Sequence, residues 1–222
     1  MEIQKIVIQE NNFHIPSIQL LPNRSYGSAI VIHGYGGCKE EILGLAMRIA
    51  EIGLTVNVVD QRGHGENGSP LDNKALPEIE AAINFCRQYG KVAAIGHSSG
   101  GRLAMSSTAD FSIGISPALA SDYGERTRGM LDNLRSYRVN EFYPGANNQL
   151  MKDLPEWKYN KQRPSFILYG SRDVPEIIEK CKNISESGLP VLEINNALHN
   201  DIYLLEETFS KITIQLKEWF RI

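Results

Sequence analysis

Apolar and polar positions along the chain fall into short runs whose period changes between segments. Residues 3–8 alternate with one slip and residues 13–21 form a second extended run, so Asn11-Asn12 between them indicates a hairpin. Residues 29–32 are wholly apolar, as in a strand buried on both faces. The pattern predicts further strands at 55–59, 91–95, 111–115, 166–169 and 191–194.

Helical spacing separates most of these strands. Residues 40–52 carry apolar side chains at helical intervals and end at Gly53, which stops a helix. Further helices are predicted at 74–89, 100–109, 175–187 and 202–220. Strands that alternate with helices indicate βαβ units and a parallel sheet, here of six strands after the two leading ones.

The alternation of predicted strands and helices stops between residues 117 and 164. These 48 residues are too long for a plain loop inside a compact domain. We therefore expect residues 1–222 to form one domain that carries a small helical insertion, or cap, at about 117–164.

Composition and charge argue against several classes of protein. The net charge of −3 does not indicate nucleic-acid binding, and no run approaches the roughly 18 apolar residues of a membrane span. The first residues lack the layout of a signal peptide. Cys38, Cys86 and Cys181 form neither a disulfide framework nor a zinc-binding spacing, so we expect a cytoplasmic protein without a metal.

Residues 96–100 match the pattern G-x-S-x-G, with Ser98 at its centre. A serine on a sharp strand-to-helix turn stands at the top of the sheet, where its oxygen is free to react. The pattern is short, but its context supports it, because a predicted strand precedes it and a predicted helix follows. The alternative is a tight turn without chemistry.

A reactive serine needs a base and an acid that orients the base. In this arrangement the chain order is Ser, Asp or Glu, then His, and His199 is the only histidine after Ser98. Asp173 follows the strand at 166–169 and is the candidate acid, although a helix N-cap is an alternative role. Asp122 and Asp201 are rival acids, the latter too near His199 to be attractive.

The loop at residues 33–37 is the candidate for half of an oxyanion hole. Its glycines let backbone N–H groups turn toward a substrate. We expect the N–H groups of Tyr35 and Ser99 to be the two donors. Gly34 and the Tyr35 side chain are expected to contact substrate.

Together these motifs resemble the α/β-hydrolase superfamily over nearly the whole chain, in the branch of esterases, thioesterases and monoacylglycerol lipases. The matching pieces are HG-x-GG at 33–37, D-x-RGHG at 60–65, GHSSGG at 96–101, G-x-x-D at 170–173, and His199. The resemblance implies an eight-stranded, mostly parallel sheet with a cap after the sixth strand. It implies structural roles for Arg62 and His64, and we interpret His33 and His97 as packing or hydrogen-bonding residues.

The expected function is that of a carboxylesterase-like serine hydrolase, which needs no cofactor or metal. It would cleave an ester or thioester of a small soluble substrate through an acyl-enzyme on Ser98. Carbon–carbon hydrolases and peptidases use the same constellation.

Two alternatives lie outside hydrolysis. Gly34-x-Gly36 after a strand, with Asp60 ending the next strand, resembles a dinucleotide-binding fingerprint, but Lys39 stands at the third glycine position. A binding protein that uses the pocket without chemistry is the other alternative.

The insertion offers two hints about substrate. Its aromatic residues are candidates to line an acyl pocket: Tyr123, Tyr137, Phe142, Tyr143, Trp157 and Tyr159. It also holds eight basic residues against six acidic ones, namely Arg126, Arg128, Arg135, Arg138, Lys152, Lys158, Lys161 and Arg163. The excess suggests a substrate with a negative group, although a solvated charged face is the simpler explanation.

Overall fold

An eight-stranded sheet forms the framework of this protein, whose computed structural model describes residues 1–120, 122–141 and 143–222. The strands are β1 (Glu2–Glu10), β2 (Phe13–Leu21), β3 (Ser28–Ile32), β4 (Thr55–Val59), β5 (Val92–His97), β6 (Phe111–Ile115), β7 (Ser165–Arg172) and β8 (Val191–Leu198). Their order in the sheet is β1-β2-β4-β3-β5-β6-β7-β8.

The sheet is mostly parallel, as predicted. Only the leading hairpin breaks the rule, because β2 pairs antiparallel with both β1 and β4, while β3 to β8 pair in parallel. Asn11 and Asn12 have φ values of 49° and 65°, which is the backbone of a two-residue hairpin turn. The hairpin predicted from these two residues is therefore confirmed.

Helices cover both faces of the sheet. They are α1 (Leu43–Glu51), α2 (Ala75–Cys86), α3 (Ser98–Ser106), α4 (Glu125–Leu134), α5 (Ala146–Asp153), α6 (Pro175–Ser185) and α7 (Glu206–Phe220). In β3, Val31 packs into the cluster that contains α1 and α7 residues, while Ile30 and Ile32 pack into the cluster with α2 and α3. This alternation explains why an inner strand must be apolar at every position.

Helix boundaries differ from the prediction at several ends. Residues Lys39–Ile42 and Ile202–Leu204 form 3₁₀ turns before α1 and α7, and Arg87–Tyr89 form one after α2. The helix expected at 100–109 begins at Ser98 and ends at Ser106. At that end the Ser107 hydroxyl donates to the Ala104 carbonyl at 2.8 Å, and the Arg163 guanidinium donates to the carbonyl groups of Ala104, Met105 and Ser107, which satisfies the helix C terminus.

The segment between β6 and β7 contains α4, a 3₁₀ turn at Ser136–Arg138, and α5. The predicted helical cap after the sixth strand is thus confirmed. An isolated antiparallel β-bridge between Val139 and His64 joins the cap to the loop after β4. The Asn140 N–H also donates to the Gly63 carbonyl at 2.7 Å. Among the residues that the structure describes, every helix is too short or too polar to cross a lipid bilayer.

Candidate functional site

Ser98 lies at the junction of β5 and α3, in a sharp turn. Its φ of 52° is left-handed, a costly conformation for a residue with a side chain. The turn requires glycine on both sides, because a Cβ at Gly96 would collide with the Gly100 backbone and one at Gly100 with the carbonyl groups of Ile32 and His33. The local sequence therefore allows the tight turn, and the turn exposes the serine oxygen.

The side chains of Ser98, His199 and Asp173 form a continuous chain of hydrogen bonds. The distance from Ser98 Oγ to His199 Nε2 is 3.0 Å, and that from His199 Nδ1 to Asp173 Oδ1 is 2.7 Å. With the proton on Nδ1 donated to the carboxylate, Nε2 accepts from the serine hydroxyl. The three residues come together because β5, β7 and β8 are parallel and all end at this edge.

The Asp173 carboxylate is fully buried and well supplied with donors. Oδ1 also accepts from the Val174 N–H at 2.7 Å, and Oδ2 accepts from the Gly170 N–H at 3.3 Å and from the Ser116 hydroxyl. Burial alone would raise the pKa of this carboxyl, but the bonds from His199, Ser116 and Val174 outweigh it and hold the pKa below its usual value. The group is thus an anion aimed at the imidazole.

Neither the N-cap role considered for Asp173 nor the two rival acids agrees with the contacts in the structure. Val174, rather than Asp173, is the N-cap residue of α6, and the cap involves no side-chain hydrogen bond. Asp122 is exposed and lies 3.7 Å from Arg128. Asp201 accepts from the Leu198 N–H at 2.8 Å, so it closes the turn that carries His199.

Ser116 is a contributor that the sequence reading missed. It follows β6 directly, is fully buried, and has a φ of 46°. Its N–H donates to the Leu168 carbonyl at 2.7 Å, which fixes the residue against β7, and its hydroxyl donates to Asp173 Oδ2. The available signal was its position at the end of the strand between those that carry Ser98 and Asp173.

The loop at residues 33–37 lies against the turn at Ser98. A Cβ on Gly34 would stand 2.8 Å from His97 Nδ1 and 3.1 Å from Ser98 Cβ, so only glycine allows this approach. No hydrogen bond within the described residues uses the N–H of Tyr35. The N–H of Ser99 belongs to the first turn of α3, whose N–H groups have no partner within the helix.

A neighbouring loop fixes the conformation of this segment. The Gly36 N–H donates to His64 Nε2 at 2.9 Å, and the Gln61 N–H donates to His33 Nε2 at 3.1 Å. Burial lowers the pKa of both histidines, which keeps each ring neutral and able to accept. Arg62 supports the same loop through ion pairs of 2.8 Å with Asp72 and 3.0 Å with Glu78.

His97 supports the loop that carries His199. Its Nε2 donates to the His199 carbonyl at 2.8 Å, and burial lowers its pKa to about 3, so the ring stays neutral. The ring also packs on Tyr203, with centroids 4.5 Å apart. The hydrogen-bonding and packing contacts of His33 and His97 agree with the interpretation given to them from sequence.

A cavity of about 130 Å³ opens beside Ser98 and His199, bordered by Gly34 and Tyr35 on one side and by the insertion on the other. Of the insertion's aromatic residues, Tyr123 borders it, Tyr137 and Tyr143 are exposed, and Phe142 lies outside the described residues. Of the eight basic residues there, only Arg135 borders the cavity, 3.8 Å from Glu41.

The dinucleotide-like features serve another purpose in this fold. Asp60 is fully buried, and Lys39 donates to it from both its N–H, at 2.8 Å, and its ammonium group, at 2.6 Å. Its carboxylate is therefore committed within the protein rather than presented to a ribose. Within the described part of the chain, no three His, Cys, Asp or Glu side chains are grouped as metal ligands would be.

Comparison with known proteins gives a consistent result. A model of the alpha/beta hydrolase family matches residues 29–179, more than half of the chain. Similar solved structures include a predicted hydrolase from Thermoplasma acidophilum (17% identity, 100% of each chain, TM-score 0.67). Another is an E-2-(acetamidomethylene)succinate hydrolase (14% identity, 97% of this chain and 100% of that chain, TM-score 0.73). A third is a Pyrobaculum calidifontis esterase (17% identity, 97% of this chain and 84% of that chain, TM-score 0.67).

At these identities the likeness to the solved structures shows the fold alone. A comparison with curated proteins found no match. The family model stands independently of them and covers β3 to α6, including the turn at Ser98 and the strand that leads to Asp173. The chain belongs to the alpha/beta hydrolase family.

Proposed function

We propose that this protein is a serine hydrolase that cleaves an ester or thioester of a small substrate through an acyl-enzyme on Ser98. The observation that carries the proposal is the unbroken hydrogen-bond chain from Ser98 through His199 to Asp173, beside a cavity. The esterase among the similar structures supports the choice of an acyl ester. Residues 1–222 would act as one domain, in which residues 117–164 cover the substrate.

In the first half-reaction, Ser98 Oγ attacks the acyl carbonyl carbon while His199 Nε2 takes the hydroxyl proton. Asp173 stabilises the resulting imidazolium and keeps its orientation. The N–H groups of Tyr35 and Ser99 bind the oxyanion, and each such donor is worth about 3–4 kcal/mol in a related site. The intermediate then collapses, and the alcohol or thiol leaves with the proton from His199.

In the second half-reaction, water attacks the acyl-enzyme while His199 accepts its proton. The same donors hold the second oxyanion, and collapse releases the acid and restores Ser98. All of these groups belong to the chain itself. The three cysteines are free thiols, which supports the expectation of a reducing compartment such as the cytoplasm.

The test is labelling with a fluorophosphonate, followed by mapping of the adduct by mass spectrometry. We expect an adduct on Ser98 that is absent from Ser98→Ala and retained in Ser106→Ala, a matched change at the far end of α3. Esters and thioesters of short acids should then be hydrolysed by the wild type. A folded wild type that neither labels nor turns over any ester, amide or carbon–carbon substrate would favour a binding protein.

A further inference from the structure

Three buried polar groups on residues that line the cavity beside Ser98 have no hydrogen-bond partner among the described residues. They are the hydroxyls of Tyr35 and Tyr123 and Asn147 Oδ1, on side chains that are 5%, 8% and 8% exposed. Burial, reinforced by Asp132, raises the pKa of Tyr35 to about 12, so its hydroxyl stays protonated and both donates and accepts. None of the three groups is used in the proposed mechanism.

Unpaired buried polar groups are uncommon in folded proteins and call for an explanation. The surrounding wall is largely apolar, with Leu131, Ile177 and Ala118 among its residues, and none of its described polar groups bonds to these three atoms. An apolar cavity with a few placed polar groups is typical of a small-molecule site, where the polar groups fix the orientation of the ligand. The three groups therefore point to a ligand with a matching hydrogen-bonding group.

The size of the space limits that ligand. The cavity measures about 130 Å³. An apolar cavity of about 150 Å³ in another protein accepts benzene. The part of a substrate that enters here is accordingly near the size of one six-membered ring.

We propose that this cavity binds a ring-sized acyl group carrying a hydroxyl, which donates to Asn147 Oδ1, with the Tyr35 hydroxyl as a second hydrogen-bonding partner. The inference rests on the proposed function for the placement of the acyl carbonyl at Ser98. Recognition of a substrate hydroxyl by buried groups gives strong discrimination, because an analogue that lacks it leaves those groups unpaired. Water is the competing occupant, since it also donates and accepts.

Binding of four matched amides, one without and three with a ring hydroxyl, separates these occupants. The full chain with Ser98→Ala, which prevents turnover, is titrated by calorimetry with 2-phenylacetamide and with the three ring isomers of 2-(hydroxyphenyl)acetamide. We expect at least one hydroxylated isomer to bind tenfold or more tightly than 2-phenylacetamide. Equal or weaker binding of all three isomers, or no binding at all, would overturn the proposal and leave water as the occupant.

Substitutions then identify the partner. In the same background, Asn147→Leu should abolish the preference for the hydroxylated ligand, and Tyr35→Phe should reduce it. Asn148→Leu is the matched control, because this next residue of α5 does not border the cavity and should leave the preference unchanged. A full preference in the Asn147→Leu protein would overturn the assignment even if the wild-type preference were found.

The two proposals fail in different ways. Labelled Ser98 and ester turnover, without any hydroxyl preference in binding, overturn only the assignment of the cavity. A hydroxyl preference that depends on Asn147, in a protein whose Ser98 never labels, overturns only the hydrolase mechanism.

Discussion

Two regions meet at Ser98, and they differ in how their polar groups are paired. Along the carboxyl ends of the strands, which we call the triad edge, Asp173 is held by four donors and His199 by partners on both ring nitrogens. On the cavity wall, Tyr35 and Asn147 each carry a buried atom without a partner in the described structure. The triad edge pairs its polar groups without a ligand, whereas the cavity wall keeps unpaired groups that the proposed ligand would bond.

Under the proposed function, the difference separates the groups that carry the reaction from those that recognise the substrate. Electrostatic stabilisation works best when groups are fixed before the reaction, so the triad edge gains from being fully bonded. Recognition gains from groups that are satisfied only by the right partner. Each prediction below perturbs one region and asks whether the other behaves differently.

The largest effect is expected from Asp173→Asn. The amide no longer stabilises the imidazolium and favours the wrong tautomer of His199, so kcat should fall by about 10⁴-fold. Steady-state kinetics on a short ester measure the loss. Asp201→Asn changes a neighbouring carboxylate that only closes the histidine turn, and it should cost far less. A similar loss in both variants would contradict the role given to Asp173.

The next largest is expected from His64→Leu, which removes the acceptor of the Gly36 N–H and releases the loop that carries the Tyr35 N–H. Loss of one oxyanion donor costs about 10²–10³-fold in kcat. KM should change little, because the donor acts mainly in the transition state. His14→Leu, on the exposed hairpin, serves as the control. A rise in KM at unchanged kcat would show that the loop binds substrate instead.

A smaller, pH-dependent effect is expected from Ser116→Ala, which removes a hydrogen bond to a charged group worth about 1.5–3 kcal/mol. The folded pKa of Asp173 lies below its usual value, so its stabilisation is present above the unfolded pKa and is lost as pH falls through the folded pKa. Ser116→Ala raises the folded pKa. The loss of stability should therefore be full at pH 7 and shrink in acid.

Urea denaturation at several pH values measures this loss. Ser112→Ala is the matched control, because the Ser112 hydroxyl, among the described residues, bonds only to the neutral Ser165 hydroxyl, at 2.8 Å, and its effect should not vary with pH. A loss in Ser116→Ala that is as constant as that of Ser112→Ala would contradict a bond to the Asp173 anion.

The smallest effect, and opposite in sign, is expected from Asn147→Leu. Removal of a buried acceptor without a partner should leave the free energy of unfolding unchanged or raise it by about 1 kcal/mol. Thermal unfolding without ligand measures it. Clear destabilisation would show that Asn147 is bonded within the protein, and the contrast between the two regions would disappear.

Much of the triad edge was predictable because its signals are local or follow from topology. The turn at Ser98 depends on glycines within four residues of it. Asp173 and His199 follow strands, and the ends of parallel strands converge. The hydrogen bonds of Ser116 and His64 were not predicted, because each joins residues that are far apart in sequence. The Ser116 hydroxyl bonds to Asp173, 57 positions away, and the His64 ring nitrogen bonds to Gly36, 28 positions away.

By itself the sequence determined the order of the strands and helices, the fold and the candidate triad, because hydrophobic period and turn residues act over short distances. The C-terminal end of α3 also involves a tertiary contact, because Arg163 donates to the Ala104 carbonyl from another segment. The cavity was also decided only in three dimensions. Its walls come from the loop at 33–37, the insertion and α6. The lack of a partner for Asn147 Oδ1 among the described residues is a property of how those distant segments pack.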